Sequence, residues 1–138
     1  MKRFINSILV VAALFVMTGC EDYLETILIL REKNGTCRSI DVANHLGFSK
    51  PSVSIGMAKL EQSECIVKQP DGELHLTEKG LEIAKRTLEK HRFITELFIA
   101  IGITPETAEQ DACRIEHSLS EESYERLREW HMKLTEGR

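Results

Sequence analysis

The stretch that decides the fold is SIDVANHLGFSKPSVSIGMAKLEQ, residues 39–62. Its first half predicts a short helix with one apolar face, formed by Ile40, Val42, Ala43 and Leu46. Gly47 follows, and glycine suits a left-handed turn. Ser49 can cap a second helix, whose first turn tolerates Pro51. Two helices joined in this way predict a helix-turn-helix, with an ordinary helical hairpin as the alternative.

The second helix of the pair is predicted to bury Val53, Met57 and Leu60. Gly56 lies inside it, where glycine costs about 1 kcal/mol relative to alanine. Its outward residues include small hydroxyls and lysines, which a helix reading the major groove can use to contact bases and phosphates. The predicted DNA-contacting residues on this helix are Ser49, Lys50, Pro51, Ser52, Ser54, Ile55 and Lys59.

A β-hairpin is predicted directly after the helix pair, in CIVKQPDGELHLT, residues 65–77. Apolar residues alternate on both sides of an Asp71-Gly72 turn. A hairpin in this place is typical of a wing, which lies along the DNA backbone. Lys68 is positioned to contact that backbone, whereas Asp71 and Glu73 oppose it.

Further helices are expected on both sides of this motif. An amphipathic helix is predicted over residues 21–33, broken by KNGT, and a long helix over residues 76–103. Two more follow, the first starting at Thr104 or Pro105 and the second capped by Ser120. The predicted fold class is mainly α: a winged helix-turn-helix over residues 21–77, then a helical domain over residues 78–138.

Composition limits the possible partners and the compartment. The 138 residues carry a net charge of −4, so nucleic-acid binding would depend on a local basic patch. The four cysteines form no CxxC pair, which favours separate, reduced thiols in a reducing compartment. An enzyme is not expected, because the sequence has no Ser-His-Asp order, phosphate loop or zinc-hydrolase helix motif.

Three segments hold side chains that could ligate a metal ion. Asp22 and Glu25 are three residues apart on one helical face, and Cys113, Glu116 and His117 also share a helical face. A site that also drew on the long middle helix would mix carboxylate, thiolate and imidazole, which suits Mn²⁺, Fe²⁺, Co²⁺ or Zn²⁺. Taken alone, paired acids are usually a solvated face and a single histidine is usually structural. The third segment is the long middle helix, which contributes His91.

The order of these motifs resembles a known family. EDYLETIL, VANHLGFSKPSVS, LTEKG, EKHR and DACRIEHSLS follow one another here as they do in the metal-dependent repressors of the diphtheria-toxin-repressor and manganese-transport-regulator family. The resemblance covers residues 21–130. It implies a homodimer that binds a palindromic operator in double-stranded DNA, and a helical domain for metal binding and dimerisation.

The resemblance also implies a ligand set. The main site would use Asp22, Cys113, Glu116 and His117, with Glu25 and His91 as further ligands. Manganese-type members have glutamate where Cys113 stands, and iron-type members have methionine where Asp22 stands, so the chain mixes both patterns. Mn²⁺ or Fe²⁺ is the expected co-repressor, with Zn²⁺ or Co²⁺ as alternatives. The second iron-type site is doubtful, because Thr95 and Glu109 replace its ligands.

The first twenty residues indicate an alternative cellular location. Lys2 and Arg3 precede a mostly apolar run shorter than the ~20 residues that span a bilayer, and MTGC resembles a bacterial lipobox ending at Cys20. A lipidated Cys20 would give a membrane-anchored metal-binding lipoprotein that does not act on DNA. A cytoplasmic regulator is the main interpretation, and residues 1–20 would then be a wrong start, a fusion or a graft.

Overall fold

The computed structural model describes residues 19–137, and these divide into two compact units. The N-terminal unit ends at Lys85 and the C-terminal unit begins at Arg86. The apolar run of the signal-like segment, residues 1–18, lies outside the described residues, whereas Gly19 and Cys20 belong to the first helix. No helix within residues 19–137 is long and apolar enough to cross a membrane.

The N-terminal unit begins with α1, which covers residues 19–34 of the described part. The helix ends where Gly35 adopts a φ of 78° and donates its N–H to Arg31 O at 2.8 Å. α1 is more deeply buried than its amphipathic pattern predicts, since Glu25 and Thr26 are buried as well. Its buried apolar side chains are Tyr23, Leu24, Ile27, Leu28 and Leu30.

The predicted helix-turn-helix is confirmed as α2, Ser39–Leu46, and α3, Lys50–Gln62. Gly47 joins them in the left-handed conformation with a φ of 69°. Ser49 caps α3, its Oγ accepting the N–H of Ser52 at 3.3 Å. The expectation for Ile40 was wrong: its side chain is 41% exposed. Ile40 lies two residues before the buried Val42, about 200° around the helix, and so cannot share its face.

The hairpin is also confirmed, as β1, Ile66–Lys68, paired antiparallel with β2, Leu74–Leu76. Ile66 lies opposite Leu76 and Lys68 opposite Leu74. Leu74 donates its N–H to Cys37 O at 2.8 Å, which attaches the hairpin to the segment between α1 and α2. The wing is therefore held to the helix-turn-helix by backbone hydrogen bonds.

The described part ends with three helices. They are α4, Glu78–Ala100, α5, Pro105–Ile115, and α6, Glu121–Glu136. α4 begins in the N-terminal unit and continues in the C-terminal unit. In the C-terminal unit, Ser120 caps α6 as predicted, and the Phe93 and Tyr124 rings meet edge to face with centroids 5.6 Å apart. The boundary expected between residues 77 and 78 stays a prediction.

Candidate metal centre and nucleic-acid interface

A buried carboxylate lies between two imidazoles in the C-terminal unit. Glu116 is 3% exposed, its Oε2 lies 2.9 Å from Nδ1 of His91, and its Oε1 lies 3.2 Å from Nε2 of His117. α4 supplies His91, Glu116 caps the end of α5, and His117 lies in the turn that follows. Among the described residues, no group meets Glu116 Oε1 at hydrogen-bonding geometry.

The electrostatics of this cluster keep the Glu116 carboxyl ionised, so that it can bind a cation. Burial raises the pKa of the Glu116 carboxyl, but the interactions with His117 and His91 outweigh it and hold the pKa below its ordinary value. Glu116 is therefore ionised at neutral pH, and a buried carboxylate needs a cation or donors around it. A divalent ion fits this need, because nitrogen and oxygen ligands of this kind suit first-row metals.

The end of α5 changes the predicted arrangement of the CRIEH segment. The helix ends at Ile115, and Glu116 caps it with backbone angles that are still helical, donating its N–H to Ala112 O at 2.9 Å. His117 lies in the turn that follows, whereas Sγ of Cys113 and a carboxylate oxygen of Glu116 lie within 4.8 Å of one another. Cys113 remains on α5 and is exposed, whereas Glu116 is buried.

The remaining predicted ligands lie on α1. Asp22 is partly buried and Glu25 is 9% exposed, and their spacing of three residues puts both on one side of the helix. They belong to the N-terminal unit. The structure thus brings Glu116 together with His91, Cys113 and His117 in one unit and carries Asp22 and Glu25 in the other. Thr95, which replaces an iron-type ligand, donates its hydroxyl to His91 O at 2.8 Å.

α3 presents an exposed polar face of the kind expected for DNA contact. Val53, Gly56, Met57 and Leu60 are buried, and the residues between them point outward. The Oγ atoms of Ser49 and Ser52 lie 2.8 Å apart, so the first turn of α3 is ordered by its own side chains. Every predicted DNA-contacting residue is exposed: Ser49, Lys50, Pro51, Ser52, Ser54, Ile55, Lys59 and, on the wing, Lys68.

The acidic residues of the wing are paired with arginines. Arg31 Nη1 lies 2.9 Å from Glu73 Oε1 and 2.8 Å from Leu74 O, and Arg38 Nη2 lies 3.6 Å from Asp71 Oδ2. These pairs reduce the repulsion that Asp71 and Glu73 were expected to exert on a phosphate backbone. Sequence reasoning missed both arginines, because Arg31 and Glu73 are 42 residues apart and no local pattern links them.

Two family models match the chain. The description "Iron dependent repressor, N-terminal DNA binding domain" matches residues 16–74. The description "Iron dependent repressor, metal binding and dimerisation domain" matches residues 77–136. Together the matches cover both units.

Known regulators are similar to the chain over most of its length. An uncharacterised HTH-type transcriptional regulator of Methanocaldococcus jannaschii is 40% identical over 111 residues, covering 78% of this chain and 88% of the relative. The transcriptional regulator MntR of Escherichia coli O157:H7 is 32% identical over 108 residues, covering 78% of this chain and 70% of the relative.

Solved structures give the same result. The manganese regulator SloR superposes with a TM-score of 0.71 at 29% identity, over 80% of this chain and 52% of that protein. IdeR of T. acidophilum superposes with a TM-score of 0.67 at 33% identity, over 77% of this chain and 50% of that protein. The chain spans about half the length of these two structures.

Proposed function

The chain belongs to the iron-dependent repressor family, and from this we propose that it is a metal-dependent DNA-binding transcriptional regulator that represses metal-uptake genes. Mn²⁺ or Fe²⁺ is the proposed co-repressor. The members of this family are transcriptional regulators and not enzymes, which agrees with the expectation from the sequence.

The observation that carries the metal dependence is the buried carboxylate of Glu116 between two imidazoles. Without a cation, the two rings are the groups that compensate this anion. A bound divalent ion would supply concentrated positive charge at the same carboxylate. Metal ligation requires imidazole nitrogens without protons, so occupancy is expected to increase with pH as protons are released.

The proposed ligands of the C-terminal unit are His91, Cys113, Glu116 and His117. A thiolate from Cys113 would favour softer ions such as Fe²⁺ or Zn²⁺ over Mn²⁺. We propose that Asp22 and Glu25 are also metal ligands. Their carboxylate oxygens would favour Mn²⁺. The support for these two residues is the family resemblance of EDYLETIL and their spacing on α1.

Metal binding is proposed to control DNA binding, because the protein's affinity for the metal ion and its affinity for DNA are coupled. Without a cation, the carboxylates of Asp22, Glu25 and Glu116 would repel one another. Ligation by residues from both units would fix the recognition helix of each protomer in a homodimer. Two half-sites about 34 Å apart, one DNA turn, are then recognised together. By thermodynamic linkage, DNA must increase the affinity for metal by the same factor as metal increases the affinity for DNA.

Selection of duplexes from a random DNA library tests this proposal. The full chain is incubated with the library in the presence of Mn²⁺ and, separately, with a chelator. The expected result is enrichment of a palindromic sequence only with Mn²⁺. Enrichment without any metal dependence, or no enrichment with Mn²⁺, Fe²⁺ or Zn²⁺, would contradict the proposal.

The cellular address is a separate proposal. Since the proposed partner is chromosomal DNA, we propose that the protein works in the cytoplasm and that Cys20 carries no lipid. The intact mass of protein purified from whole bacterial cells tests this. A chain that begins at Cys20 with added acyl mass would instead support the anchored lipoprotein and remove the protein from its DNA.

A further inference from the structure

An isoleucine occupies an exposed position of α3. Ile55 is 59% exposed, although the helix buries four other residues within the N-terminal unit. Val53 and Leu60 lie about 160° and 140° away around the helix, so Ile55 points almost directly away from the core. Most of this large branched side chain is therefore left out of the packing of the unit that carries it.

The surroundings of Ile55 identify the kind of surface that α3 meets. Ser52 lies three residues before it and Lys59 four residues after it, so both share its face. Both are exposed, as is the isoleucine itself. Lys59 gives this exposed face a positive charge, which is complementary to a polyanion. The face therefore places one apolar side chain between a serine hydroxyl and a lysine.

Duplex DNA offers one apolar group in its major groove. The C5-methyl group of thymine is that group, and cytosine, adenine and guanine present only hydrogen-bond donors and acceptors there. An isoleucine cannot donate or accept a hydrogen bond, so within the groove it can favour only this methyl. The lysine and serine beside it can contact phosphates in any sequence and so position the helix.

We propose that Ile55 is a specificity-determining residue that selects thymine in the operator by contact with C5-methyl groups. This inference rests on the proposed function and adds the base that the recognition helix reads. Cytosine or guanine at the same position would leave the isoleucine against polar base edges, and each is therefore disfavoured.

Removal of single methyl groups from DNA tests the contact directly. Duplexes selected with the full chain and Mn²⁺ are synthesised with deoxyuridine in place of each thymidine in turn, which deletes the methyl and preserves base pairing. Wild-type protein is expected to bind about fourfold more weakly for each contacted methyl that is deleted. The Ile55→Ala variant is expected to bind the original duplex more weakly and to lose this sensitivity at the same positions.

A matched control and the contrary results separate the two proposals. Ile40→Ala removes another exposed isoleucine of the same unit and should leave the deoxyuridine profile unchanged. A selected duplex whose affinity is insensitive to every deoxyuridine, or equally sensitive with Ile55→Ala, would overturn the role of Ile55 and leave the regulator intact. Failure to select any duplex would overturn the proposed function, and this inference with it.

Discussion

Nδ1 of His91 lies 2.9 Å from Oε2 of Glu116, and this contact joins α4 to the end of α5 inside the C-terminal unit. The two residues are 25 positions apart in the sequence. Because Glu116 is buried and ionised, its environment has to supply positive charge. A divalent cation and the histidine rings can both do so, and this competition is the basis of the proposed metal response.

Replacing Glu116 with glutamine should abolish metal-dependent stabilisation. The amide keeps the shape of the side chain but removes the anionic ligand. At a metal concentration of about 100 Kd, wild-type protein should gain about 2.7 kcal/mol and several degrees in Tm. The variant should gain almost nothing in thermal unfolding with Mn²⁺. Glu129→Gln, on the exposed side of α6, is the control and should respond like wild type.

Metal should protect Cys113 from alkylation. This thiol is exposed, and ligation to a metal would occupy its sulfur. Cys37 is an internal reference, because burial raises the pKa of its thiol to about 11 and keeps it protonated and slow to react. Mass spectrometry after iodoacetamide treatment should show Cys113 labelling slowed at least tenfold by Zn²⁺. Equal labelling of Cys113 with and without Mn²⁺, Fe²⁺, Co²⁺ or Zn²⁺ would remove it from the ligand set.

Lys59→Ala should weaken DNA binding to all sequences to a similar extent. Lys59 is exposed on α3 and is expected to contact a phosphate, which carries no sequence information. The slope of log Kd against log salt concentration should decrease by about one in magnitude. Glu61→Gln, an exposed change on the same helix, should not reduce this slope. A sequence-selective loss with an unchanged slope would assign Lys59 to base reading instead.

Gly56→Ala should destabilise the N-terminal unit. A Cβ at this position would lie 2.2 Å from Cε2 of Tyr23, whose buried ring also contacts Phe48 edge to face. Overpacking of this kind costs about 1–3 kcal/mol, and the better helix propensity of alanine returns about 1 kcal/mol of that. Urea unfolding should show a net loss, whereas Ser54→Ala, at an exposed position, should change stability little. Increased stability in Gly56→Ala would contradict the close approach.

Local signals in the sequence were sufficient to predict the helix-turn-helix and the wing. Gly47 at a positive φ, the Ser49 cap and the Asp71-Gly72 turn each act through their immediate neighbours. The predicted burial of Val53, Met57 and Leu60 follows from helical periodicity and is confirmed. The prediction that Ile40 lies on the buried face of α2 was wrong, because its angular position on the helix differs from that of Val42.

Other features depend on partners that are distant in the sequence. Gly56 looks unfavourable in a helix until the ring of Tyr23 is placed against it. Arg31 gives no local sign that it neutralises Glu73. The metal ligands were grouped by spacing and by family resemblance, but α5 ends before His117, which a helical pattern alone did not indicate.

The most direct test of the central claim is the dissociation constant for one selected duplex, measured by fluorescence anisotropy with saturating Mn²⁺ and with chelator. We expect Mn²⁺ to lower Kd at least tenfold for the wild-type full chain and to leave Kd unchanged for Glu116→Gln. Wild-type protein that binds the duplex equally well in both conditions, and likewise with Fe²⁺ and Zn²⁺, would contradict the account.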